Sequence, residues 1–284
     1  MASEVSKAVL ITGCSSGIGA ATARRLAGRG WTVYASARRL ESIQPLESAG
    51  CRLLQLDVTD EASMRAAVDA IVREQGAVGV LVNNAGYSQG GAVEQVSMDA
   101  VRRQFETNVF GAIHLCQLVL PGMRAQRWGR IVNVGSMGGR LTFPGGGLYH
   151  ATKHSLEAIS DALRFEVAGF GVGVTLIEPG LITSDFAKTA VATVHEAKGD
   201  GEDPYREFNR KLAAMTAGVY ESPIRHLGGS PEVVARAIEK AISRRRAPTR
   251  MLLTPSGHLT VMQRKLLPDR LWDAAMRSQL PQPR

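Results

Sequence analysis

The chain has 284 residues, 44% of them hydrophobic and 21% charged, enough apolar material for one large buried core and too much for a disordered chain. Its formal net charge of +8 comes from scattered Lys and Arg with one cluster (Lys240, Arg244, Arg245, Arg246, Arg250), read as a solvated helix end; no nucleic-acid partner is expected. The longest apolar runs, 8–11 and 118–120, are too short for a transmembrane segment, the start lacks a signal-peptide pattern, and Cys14, Cys51 and Cys116 have no metal or CxxC spacing; a cytoplasmic protein without metal is expected.

In chain order, residues 7–12 read as a buried strand that runs into Thr12-Gly13-Cys14-Ser15-Ser16-Gly17-Ile18-Gly19 and then a helix over 17–27. A strand, a glycine-rich turn and a helix N-terminus form a phosphate cradle, because glycines let the backbone approach and the helix end favours negative charge. Gly13, Ser15, Ser16, Gly17, Ile18 and Gly19 are therefore candidate cofactor-binding residues. A plain tight turn would show the same glycines, but not necessarily between a strand and a helix.

The next strand, 32–36, ends in Ala35-Ser36-Ala37-Arg38-Arg39, with no carboxylate before Glu41. An acidic group at this place accepts from a ribose 2′-hydroxyl, whereas arginine suits a 2′-phosphate. Arg38 thus points to NADP(H). Strands over 52–56 and 80–83 follow, with a helix over 61–75 between them and a second, 98–126, in which Pro121 is expected to bend or end the helix. His114 is assigned to packing on that helix.

A strand over 130–135 leads to Ser136, and a helix over 148–170 carries Tyr149-His150-Ala151-Thr152-Lys153. Residues i and i+4 share a helix face, so Tyr149 and Lys153 stand one turn apart. A free tyrosine has a pKa of about 10, and a nearby lysine cation lowers it toward useful acid–base chemistry. His150 and His154 lie on other faces and are read as structural. After a strand over 172–178, residues 181–230 form a long, loosely patterned segment, read as a substrate loop. Gly199, Gly201 and Gly218 are its candidate flexible points, and Phe186 and Tyr220 its candidate covering groups. A helix over 231–244 and a strand over 250–254 close the alternation.

The whole reads as α/β: a Rossmann-type doubly wound parallel sheet with helices on both faces, in a single domain over 1–255. A C-terminal helical tail, 256–284, is expected to pack on the body or on a partner subunit, with a membrane-surface role as the alternative.

Taken together, the motifs resemble the short-chain dehydrogenase/reductase family, in the branch with G-x-x-x-G-x-G and Tyr-x-x-x-Lys, from about residue 7 to about 183. The resemblance assigns Asn83-Asn84-Ala85-Gly86 to the family's Asn-Asn-Ala-Gly, and Asp57-Val58 to its adenine-binding pair. Asn108 in Glu106-Thr107-Asn108-Val109 matches its active-site asparagine, Pro179-Gly180 its Pro-Gly, and Ile182 and Thr183 the positions beside the nicotinamide amide. It implies catalysis by Asn108, Ser136, Tyr149 and Lys153. Ser136 and Tyr149 would hold the substrate oxygen, Tyr149 would pass the proton, Lys153 would hold the nicotinamide ribose, and Asn108 would hold a relay water.

Length and the tail segment 265–271 resemble the hydroxysteroid and retinol dehydrogenase-like members. The substrate wall, Met137, Gly138, Gly139, Leu141, Phe143, Leu181 and Phe186, is apolar or small apart from Arg140, so an apolar alcohol or ketone is expected. A homodimer or homotetramer is also expected. The competing readings are another reaction on a related fold, which would want different Tyr-to-Lys or glycine spacing, and a non-catalytic NADPH-binding sensor or scaffold, which would not need all four catalytic residues.

Overall fold

A computed structural model describes residues 5–184, 186–196, 203–219 and 222–283; Asp185, Gly199, Gly201 and Tyr220 lie outside the described residues. Alternating apolar strands and amphipathic helices give, among the described residues, seven parallel strands. These are β1 (Val9–Ile11), β2 (Val33–Ala37), β3 (Arg52–Gln55), β4 (Val80–Asn83), β5 (Gly129–Val134), β6 (Val172–Glu178) and β7 (Arg250–Leu252). They lie in the order β3-β2-β1-β4-β5-β6-β7. The chain therefore reverses direction across the sheet between β1 and β4, where Ile11 pairs with Ala35 on one side and Val82 on the other. That switch opens a crevice at the carboxyl ends of the strands.

Strand alternation divides the core between two faces. Val9 and Ile11 pack with Ala23 and Leu26 of α1 (Gly17–Ala27) and with Val234 and Ile238, which belong to the helix Pro231–Ser243. Leu10 points the other way, into a cluster with Ile71 of α2 (Glu61–Gln75) and Leu115 and Val119, from the helix Gly111–Ala125. The sheet is covered on both sides, as the sequence predicts. α2 begins with a local cap: the Asp60 carboxylate accepts from the backbone N–H groups of Ala62 and Ser63.

Three expectations are corrected. The helix expected over 98–126 is α3 (Met98–Phe105), a π-helical turn (Glu106–Phe110) and α4 (Gly111–Ala125); its irregularity falls on Asn108, not on Pro121. Pro121 lies one turn from the end of α4, where its missing N–H removes a single helical bond and the helix carries on. The helix expected over 148–170 is α5 (Gly147–Val167), which ends in a 3-10 turn, Ala168–Phe170.

Among its described residues, the expected loop over 181–230 forms α6 (Phe186–Glu196) and α7 (Arg206–Gly218), which pack on each other. Ala190 and Val194, one turn apart, bury one face of α6. After α8 (Pro231–Ser243) and β7 come α9 (Pro255–Leu266) and α10 (Asp269–Arg277). They pack on the body: Trp272 and Val261 are buried against Leu141, with Met137 and Phe143 alongside. Among the described residues no helix is long and apolar enough to cross a membrane.

Candidate active site

The glycine loop after β1 is built by close backbone approach. Gly13 has φ of +71° and Gly17 +55°, backbone that L side chains rarely adopt. A Cβ at Gly13 would lie 2.9 Å from the Cα of Ala85, and one at Gly19 only 2.3 Å from the Gly13 carbonyl oxygen. The loop is stitched to the segment after β4. Thr12 Oγ1 accepts from the Asn84 and Ala85 N–H groups, both at 3.0 Å, and Asn84 Nδ2 donates to the Thr12 and Gly13 carbonyls at 2.8 and 3.1 Å. Thr12 was not singled out from sequence. Its signal was its place at the start of the glycine motif.

Ser15 and Ser16 are exposed, and Ser16 opens α1 without a side-chain cap, which leaves the first turn to a ligand's acceptors. Arg38 is exposed directly after β2. Val58 is buried, and the Asp57 carboxylate is turned to the N–H and hydroxyl of Thr59. This crowded glycine cradle and a bare helix start fit the phosphates of a dinucleotide, with the exposed Arg38 at the end of β2 beside them. Across the crevice, Met137 N–H donates to the Pro179 carbonyl at 2.9 Å. Gly180 packs against Thr254 and Ser256. Ile182 bridges to Gly229, and the Thr183 N–H donates to the Gly229 carbonyl. Ile182 is buried and Thr183 exposed.

Tyr149 and Lys153 stand one turn apart on α5, with Lys153 Nζ 5.7 Å from the centre of the Tyr149 ring. Lys153 is buried and donates to the Val134 carbonyl at 2.8 Å; loss of water around the ammonium pulls its pKa down to about 8. Ser136 follows β5 and its Oγ accepts from the Gly138 N–H at 3.0 Å, leaving its own hydroxyl proton to donate. The π-helical turn carries Asn108 inward. Its amide donates to Thr152 Oγ1 at 3.2 Å and to the Tyr87 carbonyl at 2.9 Å, and accepts from the Tyr87 N–H at 3.1 Å. Gly86 abuts it, since a Cβ there would lie 3.2 Å from Asn108 Oδ1. Asn108 thus joins the Asn84-Ala85-Gly86 segment to α5.

Two neighbours add what the sequence left open. His150 is structural but close: its ring lies 5.5 Å from Tyr149, and Nδ1 lies 2.9 Å from the Gly138 carbonyl, to which it must donate. Burial pulls its pKa down to about 4, so the ring is neutral. Arg140 turns away from the substrate wall, with its guanidinium 3.5 Å from the buried Glu178 carboxylate. The wall is aromatic. Phe186 stands 5.5 Å from Tyr149, Phe143 5.8 Å from His150, and Trp272 of the tail 5.9 Å from Phe143. A groove of about 610 Å³ around Lys7, Trp31, Trp128 and Arg130 lies at the opposite ends of the strands.

The comparisons agree with this arrangement. The family model for short chain dehydrogenases matches residues 7–195. The 3-ketodihydrosphingosine reductase of Bacteroides thetaiotaomicron is 38% identical over 271 residues, covering 95% of this chain and 96% of that one. Human retinol dehydrogenase 8 is 35% identical over 263 residues, covering 86% and 80%. Among solved structures, a short chain dehydrogenase/reductase from Burkholderia phymatum in complex with NAD superposes with a TM-score of 0.78 at 27% identity, covering 92% and 93%. A closed serine dehydrogenase with NADP+ gives 0.72 at 29%, covering 86% and 94%. With its parallel sheet, glycine cradle and ordered motifs, the chain belongs to the short-chain dehydrogenase/reductase family of NAD(P)-binding oxidoreductases.

Proposed function

We propose that the chain is an NADP(H)-dependent oxidoreductase that interconverts a ketone or aldehyde and an alcohol on an apolar small molecule, with Tyr149 as the general acid and base. The observation that carries this reading is the convergence of Ser136, Tyr149, Lys153 and Asn108 at the strand ends beside the glycine loop. Ser136 and Tyr149 present hydroxyls to the substrate oxygen; Tyr149 gives its proton to that oxygen in reduction and takes it back in oxidation. The Lys153 cation stabilises the phenolate, and Asn108 would hold the water that relays protons from Lys153.

The glycine loop, Asp57, Val58, Asn84, Ala85, Gly86, Pro179, Gly180, Ile182 and Thr183 would hold the cofactor, with Lys153 reaching its ribose. The cofactor supplies the hydride. Arg38 supports NADP(H), because an exposed guanidinium after β2 suits a 2′-phosphate and no carboxylate stands there to take a 2′-hydroxyl. Structural neighbours hold NAD in one case and NADP+ in another, so the preference rests on Arg38.

Phe186, Phe143, Met137 and Leu141 support an apolar substrate, more so because Arg140 is spent on Glu178. Relatives named for ketodihydrosphingosine and for retinol support the ketone and alcohol chemistry. The sensor or scaffold alternative is disfavoured by the intact catalytic set. A screen of ketones and secondary alcohols with NADPH, NADH and their oxidised forms, read by nicotinamide absorbance, tests the proposal. Turnover of an apolar carbonyl with NADPH is expected, and binding without turnover across the screen contradicts it.

A further inference from the structure

Beneath the catalytic helix lies a charged cluster that the proposed chemistry does not use. Glu178, the last residue of β6, is fully buried, and Glu157 of α5 is largely so. Both reach the same nitrogen: Arg250 Nε lies 2.9 Å from Glu157 Oε2 and 3.2 Å from Glu178 Oε1. Arg140 approaches Glu178 from the segment after Ser136, at 3.5 Å. Asp161, one turn beyond Glu157, takes Arg250 Nη2 at 2.7 Å and also Arg164 at 3.1 Å.

Two buried oxygens of this cluster lack an aligned hydrogen-bond donor: Glu157 Oε1, and Glu178 Oε1, whose 3.2 Å contact with Arg250 Nε is an ion pair without hydrogen-bond geometry. With every group ionised, three carboxylates would face Arg140 and Arg250, with Arg164 serving only the outermost. Two buried acceptors without an aligned donor are costly, and two adjacent carboxyls resolve the conflict by holding one proton between them.

We propose that Glu157 is a positioning residue: its protonated carboxyl donates to Glu178 and fastens the catalytic helix to the end of β6 and to the segment after Ser136. The surroundings show what the fastening holds. Glu157 is one helical turn beyond Lys153 on α5. A Cβ at Gly139 would lie 3.0 Å from Glu157 Oε1 and 2.8 Å from the Lys153 carbonyl, so the chain after Ser136 sits flush on this face. Glu178 leads directly into Pro179, whose carbonyl holds the Met137 N–H at 2.9 Å. Lys153, the Ser136 segment and the Pro179-Gly180 corner therefore meet over one shared proton.

Burial and the neighbouring Glu178 push the Glu157 carboxyl up to about 8, against the opposing pull of Arg250. A carboxyl raised in the folded state contributes stability that is complete below its ordinary range and lost as pH rises through the raised value. The fastening is thus closed at neutral pH and opens in alkali, when Glu157 and Glu178 repel.

Glu157→Gln tests this, because its amide keeps a donor toward Glu178 and cannot ionise. Melting temperature and affinity for NADPH and NADH are measured in wild type and variant at about pH 7 and about pH 9.5. The wild type should lose melting temperature relative to Glu157→Gln across that interval, and its affinity for the nucleotide that binds should fall at least about threefold more. Comparison with the variant cancels other titrating groups, including Lys153. Glu178→Gln, which also leaves one ionisable carboxyl, should flatten both profiles and serves if the first variant folds poorly.

Parallel melting profiles overturn the proposal. Flattened melting with parallel nucleotide affinities overturns the positioning role and leaves a structural ion-pair cluster. The inference rests on the nicotinamide reading only through the affinity measurement. If neither nucleotide binds either protein, that reading fails and the melting comparison alone decides the fastening.

Discussion

Gly19 lies directly over Gly13: a Cβ built on Gly19 would stand 2.3 Å from the Gly13 carbonyl oxygen and 2.6 Å from Asn84 Nδ2. Neither neighbour can yield, because Asn84 Nδ2 is bonded to the Thr12 and Gly13 carbonyls and holds the loop to β4. Gly19→Ala should therefore weaken nicotinamide nucleotide binding by more than about tenfold and lower stability by about 1–3 kcal/mol. Fluorescence titration and denaturant melts measure both. Gly169→Ala is the control, since a Cβ there meets nothing within 4 Å and should leave binding unchanged.

In the proposed function the preference for NADP(H) rests on Arg38. Arg38→Asp replaces a phosphate partner with a repelling carboxylate and should raise the NADPH dissociation constant at least about tenfold more than that of NADH. Equal losses for both nucleotides, or a wild-type preference for NADH, contradict the assignment.

Strand Val172–Glu178 and helices Gly17–Ala27 and Glu61–Gln75 were legible in the sequence to the residue, because local periodicity and flanking Gly or Asp punctuate them. Tyr149 and Lys153 were legible for the same reason, as their relation is one helical turn. The π-helical turn at Asn108 was not, since the apolar pattern runs through it unbroken. Nor was the arrangement of Trp272 on Phe143, of Arg140 on Glu178, or of Glu157 with Arg250. Those contacts join residues far apart in the chain and are set by packing, not by any local spacing. The helices α6 and α7 hid in a polar, small-residue stretch whose few buried positions, Ala190, Val194, Phe208 and Ala213, carry weak periodicity.

His150 should make the wild type acid-sensitive. Its pKa is pulled from 6.5 down to about 4 by burial, so the stability it contributes is present above the unfolded value and lost as pH falls toward the folded one. Between about pH 7 and about pH 5 this amounts to about 2 kcal/mol. Urea melts should show that loss in the wild type and a smaller one in His150→Gln, which can still donate to the Gly138 carbonyl. Equal losses in the two proteins would assign the acid sensitivity elsewhere.

Phe186, 5.5 Å from the Tyr149 ring and still partly exposed, should act on substrate binding more than on chemistry. Phe186→Ala should raise KM for an apolar ketone about tenfold, from the lost apolar contact, while kcat changes by less than about threefold. A fall in kcat with KM unchanged would place Phe186 outside the substrate wall.

Catalysis by Tyr149 is the central claim, and turnover by Tyr149→Phe tests it most directly. The variant loses one hydroxyl and keeps the ring that packs on His150 and Phe186. Its fold and nicotinamide binding should match the wild type, while the chemistry-limited rate of NADPH-linked carbonyl reduction falls by about 10²–10⁴-fold. Retention of more than about a third of the wild-type rate, with chemistry limiting, contradicts the account.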